Sequence, residues 1–185
     1  MQGKITVLLP LLSILSSPVL LTDVGFAGGM GKSMQTEFEA ELEPLDTSLE
    51  PEAEGEAEYR KHTVKGAVKQ ERFRMKVKIP FPSSGLGITD QTSAEGADVQ
   101  VSLSHDGGVT SCADCSLVLT EIEEDEAVYM VDVRNKPTKK AMVLHEVHGA
   151  CDVGGVSGVP AVQENDVATV VVGPNTILTG TFEKD

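Results

Sequence analysis

The chain has 185 residues, a formal net charge of −14, no Trp and 4% aromatic residues. So acidic a surface opposes binding to nucleic acid or to anionic lipid, and so few aromatic rings leave little to stack on bases or sugars. It favours cationic partners instead.

Residues 1–27 read as a signal peptide: a short basic start, an apolar run "ITVLLPLLSILSSPVLL" (5–21) broken by Pro10 and Pro18, and a small-x-small end at Gly25 and Ala27. A 17-residue stretch with two prolines makes a poor membrane span, so no membrane insertion is expected after cleavage. "GFAGGMGKS" (25–33) looks like a phosphate-binding loop. The spacing requires a glycine where Phe26 stands, and the segment must open a helix rather than the alternating "MQTEFEAELEP". Residues 28–34 are expected to be a flexible leader and 35–185 a single domain. The expected destination is the periplasm or the exterior.

Beyond the leader the dominant signal is period two. Phe38, Ala40 and Leu42 alternate with glutamates in "TEFEAELEP" (36–44), as do Ala53, Gly55, Ala57 and Tyr59 in "EAEGEAEYR" (52–60). In "ERFRMKVKIP" (71–80), Phe73, Met75, Val77 and Ile79 alternate with Arg72, Arg74, Lys76 and Lys78. Successive side chains of a strand point to opposite faces, so each segment is a half-buried strand with a charged outer face. "ADVQVSLS" (97–104), "SLVLTEI" (116–122), "AVYMVDVRN" (127–135), "KKAMVLHEV" (139–147), "VATVVVG" (167–173) and "TILTGTFE" (176–183) continue the series, separated by turn-forming stretches such as "HDGG" (105–108) and "GPN" (173–175). The expectation is an all-β fold: an antiparallel β-sandwich, immunoglobulin-like or jelly-roll-like, of about eight or nine strands, with a barrel as second choice.

Charge comes in blocks. Residues 37–58 carry ten acidic and no basic side chains, while residues 60–78 carry eight basic and one acidic. Opposite charges across a strand pair are favourable and like charges are not. The basic strand is therefore expected beside an acidic one, and the two acidic strands apart.

The three cysteines include Cys112-Ala-Asp-Cys115, followed by "HEVHGAC" with His145, His148 and Cys151. Two chemistries fit. A C-x-x-C pair with an H-x-x-C pair has the internal spacing of a tetrahedral metal site for Zn or Cu, using Cys112, Cys115, His148 and Cys151 with His145 as a further donor. In an oxidising compartment the same residues support a disulfide from Cys112 or Cys115 to Cys151. "LHEVHGAC" resembles the histidine strand of Cu,Zn superoxide dismutases. That strand carries His-x-His, whereas His145-x-x-His148 splits the rings between faces, so no activity follows from the likeness. "GVSG" (155–158) lacks a spacer of the nucleophile elbow, and "EIEEDE" (121–126) lacks the alternating ligands of a calcium loop. No catalytic set emerges. The expected function is an exported acidic binding or structural module with a protein or envelope partner, for which the acidic surface favours a cationic one; the alternative is a metal-binding protein.

Overall fold

The computed structural model describes residues 32–45, 50, 52–123, 125–139 and 141–185. The expected signal peptide lies outside the described residues, as does most of the expected leader. The strands are β1 (Ser33–Pro44), β2 (Glu54–Val64), β3 (Ala67–Pro80), β4 (Val99–His105), β5 (Thr110–Glu123), β6 (Glu126–Pro137), β7 (Met142–His148), β8 (Ala150–Asp152), β9 (Val167–Val172), β10 (Asn175–Thr181) and β11 (Glu183–Lys184). β1 thus begins two residues inside the expected leader. The five-residue helix α1 (Gln91–Glu95) precedes β4. It is too short for a helical apolar period to register, and it is held by its N-cap: Ser93 N donates to Asp90 Oδ1 at 2.8 Å while Asp90 N donates to Ser93 Oγ at 3.0 Å.

Eight strands close on themselves in the order β1-β2-β3-β6-β5-β4-β9-β10, every pairing antiparallel, and β10 returns to β1. The all-β expectation holds, but the sandwich does not: the fold is a closed barrel. Alternation reports only that one face of each strand is buried, and it reads the same in both architectures. The pairings β5–β6 and β1–β10 are what remove the open edges that two stacked sheets would keep.

An eight-stranded barrel is just wide enough for side chains to fill it. Phe73, Met75, Val77 and Ile79 point inward with no exposure, beside Ala57, Tyr59, Val131, Val133, Val101 and Val170. Phe73 meets Phe182 at a ring-centroid distance of 6.5 Å. One end is covered by α1, whose buried Ala94 offers its carbonyl to the Tyr129 hydroxyl at 2.9 Å. Burial pushes that phenol up to about 12. At the other end Phe182, Val159 and Val162 are buried in the same core.

Among the described residues, the closure has a seam between β5 and β6. The lower part of β5 pairs with β6 through residues 118–123, but the upper part pairs with β8, while the upper part of β6 pairs with β7. β7 and β8 therefore enter the barrel wall as a wedge. Gly149 joins them at φ +59, where an added Cβ would stand 2.2 Å from the Ser116 carbonyl oxygen. Only glycine fits there.

The charged outer face corrects the expectation about the acidic strands. β3 does pair with β2 in complementary register, Glu54↔Lys78, Glu56↔Lys76 and Glu58↔Arg74. But β1 and β2 are also adjacent, with Glu39↔Glu58 and Glu41↔Glu56 aligned. Each such pair costs a few tenths of a kcal/mol to about 1 kcal/mol. Burying Leu42 and Tyr59 from the same two strands gains more, about 1.5–3 kcal/mol for each large side chain. Packing decides the pairing.

Candidate functional site

Cys115 and Cys151 face each other across β5 and β8 and form a disulfide with a sequence separation of 36. Both are 1% exposed, so the bridge lies in the core and ties the wedge to the barrel wall. This is one of the two long-range bridges open in the sequence, and it engages two of the three sulfurs in the five-residue metal set. His145 and His148 lie on β7, opposite Arg134 and Asp132 of β6. Among the described residues, no group of convergent metal donors includes either histidine.

Cys112 is the free cysteine. It falls at an irregularity in the β4–β5 ladder: Leu103 pairs with Ala113 and Ser104 with Ser111, so Cys112 is the extra residue of a bulge. A bulge breaks the alternation and re-aims a side chain. Here it brings the Cys112 sulfur to His105 and Asp166, whose donor atoms all lie within 4.8 Å of one another and of the sulfur.

Each partner is placed by its own element. His105 ends β4 and opens a tight turn in which Gly108 N and Val109 N both donate to its carbonyl. Asp106, Gly107 and Gly108 in that turn have positive φ. Asp166 immediately precedes β9, follows the left-handed Asn165, and is 3% exposed. Since Ser104 pairs with Val167, His105 and Asp166 occupy the next step of the same ladder. His105 Nδ1 lies 2.8 Å from Asp166 Oδ1, and Gln163 N donates to Asp166 Oδ2 at 2.8 Å. Burial, followed by the Asp166 charge, pushes the Cys112 thiol above its ordinary value.

No family model, curated protein or solved structure matches this chain. The geometry therefore stands alone.

Sequence reasoning singled out Cys112 but missed His105 and Asp166. "HDGG" reads as a turn, Asp166 falls just before the expected strand 167–173, and 61 positions separate His105 from Asp166. Only the antiparallel pairing of β4 with β9 makes them neighbours.

The other chemically distinct surface is the acidic face of β1 and β2. Among the described residues, ion pairs engage Glu37 and Glu58 with Arg60, and Glu54 with Lys78. Glu39, Glu41, Glu43 and Glu56 are exposed, and no described cation lies within ion-pair distance of them. A groove where β1 and β2 diverge is lined by Glu41, Glu43, Glu52, Glu54 and Glu56, with Lys76 and Lys78 on its far side.

Proposed function

We propose that this chain is an exported binding or structural module whose carboxylate face on β1 and β2 engages a cationic partner, protein or envelope component. The observation that carries the reading is the aligned pairs Glu39↔Glu58 and Glu41↔Glu56, flanked by glutamates without a cation. Aligned like charges cost stability in the isolated chain, a cost offset only in part by Arg60 at Glu58, and a partner's lysines or arginines would relieve the remainder on binding. Export is supported by the buried disulfide, a bond that persists in oxidising compartments. No helix among the described residues is long and apolar enough to cross a membrane.

Binding of the mature protein to immobilised polylysine, with polyglutamate as control, tests the reading. Capture on polylysine should weaken steeply as salt rises through the physiological range. The triple variant Glu39→Lys, Glu41→Lys, Glu56→Lys should lose capture while remaining folded. Capture by the triple variant equal to the parent's would overturn the assignment of the face.

A further inference from the structure

We propose that His105, Cys112 and Asp166 form a three-donor zinc site at the barrel end opposite α1, with a fourth position open to water or an exogenous donor. The site is separate from the acidic face, and the two readings stand or fall independently.

The donor chemistry favours a transition metal over a hard cation. One sulfur, one imidazole nitrogen and one carboxylate oxygen match the mixed N, S and O set that zinc accepts. Three protein ligands are what zinc retains when one position is left open. Calcium and magnesium take oxygen ligands and have no use for the sulfur.

The shape of the cluster separates a metal site from a proton-relay triad. In a Cys-His-Asp relay the imidazole lies between the other two, so sulfur and carboxylate stand two hydrogen bonds and a ring apart. Here the Cys112 sulfur lies within 4.8 Å of the Asp166 carboxylate as well as of the imidazole. The three donors form a triangle, and a triangle has a centre for an ion. Zinc at about 2.0–2.3 Å from each donor needs the donors roughly 3.3–3.8 Å apart. The 2.8 Å His105–Asp166 contact therefore opens slightly, exchanging its hydrogen bond for bonds to the ion, while the sulfur, within 4.8 Å of both, closes by at most about 1.5 Å. The His105 turn is open to solvent and can supply the movement: residues 106–110 are exposed.

The surroundings are built for the purpose. Asp166 is buried, and its second oxygen is held by the Gln163 amide, the outer-shell contact that orients a ligating carboxylate. The β5 bulge turns Cys112 toward the cluster, whereas Cys115, three residues on, is committed to the disulfide. His105 keeps 28% side-chain exposure, which provides a path for the ion.

The test titrates the folded, disulfide-intact mature protein with Zn²⁺, and with Co²⁺ as a spectroscopic probe. One ion per chain is expected, with a near-ultraviolet thiolate-to-cobalt band. Cys112→Ser should abolish that band and, like His105→Ala, weaken zinc binding at least ~100-fold. His145→Ala and His148→Ala should leave affinity within about twofold, as sites outside the cluster. Should His105→Ala fail to fold, the unaltered protein supplies the answer: saturating zinc should slow labelling of Cys112 by a thiol reagent at least ~10-fold. Zinc affinity unchanged in Cys112→Ser, loss confined to the His145 or His148 variants, or labelling indifferent to zinc would each overturn the proposal.

Discussion

Asp132, 5% exposed on β6, is held by Arg72 of β3 through two hydrogen bonds, Nε to Oδ1 at 2.9 Å and Nη2 to Oδ2 at 2.6 Å. Burial alone would raise its carboxyl. The hydrogen bond from Arg72, with the charges of Arg72, Arg134 and Arg74, overcomes burial and holds it below the usual carboxylate range. A carboxylate whose pKa is lower in the folded than in the unfolded state adds stability above the unfolded value, and that stability is lost as pH falls through the folded one. Arg72→Met should therefore cost about 2–3 kcal/mol at pH 7, because it leaves the carboxylate buried and under-bonded. The penalty should shrink as pH drops below about 4, where the carboxylate of the unfolded chain is itself protonated. Denaturant midpoints of both proteins at pH 7 and pH 3 check the sign. Gly149→Ala should be equally visible, at about 2–3 kcal/mol, since it combines a left-handed backbone with a clash against the Ser116 carbonyl.

At the scale of elements, the hairpin β1–β2 and its neighbour β3 show charge yielding to burial. β2 is paired correctly on one side and against like charge on the other, because both of its neighbours must keep their apolar residues inside. Reversing one member of the misfit should restore complementarity. Glu41→Lys faces Glu56 directly and should stabilise the fold by roughly 0.5–1 kcal/mol, read as a raised denaturation midpoint at low salt that fades at high salt. The same substitution should weaken capture on polylysine, so stability and binding should move in opposite directions. A variant that gained both would place the binding face elsewhere.

For the molecule as a whole, the disulfide ties the β7–β8 wedge to the barrel wall. A cross-link of 36 residues is worth about 4 kcal/mol on the chain-entropy account, so Cys151→Ala should lower the melting temperature by about 8–16 °C for a domain of this size. Thiol counting checks the connectivity: one reactive thiol per denatured chain before reduction and three after it, from the three cysteines. Three before reduction would mean that the bridge does not form.

Strand identity was legible in "TEFEAELEP", "ERFRMKVKIP" and their successors because a one-sided environment stamps its period onto consecutive residues. The C-x-x-C and the later H-x-x-C marked Cys151 as a partner for Cys112 or Cys115, without deciding between a disulfide and a metal site or which of the two cysteines would pair. β8, three residues long, and α1, five, were too short to carry a period at all. Closure of the barrel, the adjacency of the two acidic strands and the meeting of His105 with Asp166 were decided in three dimensions. Each depends on which distant strands share backbone hydrogen bonds, and alternation along a strand is indifferent to the neighbour it will pair with.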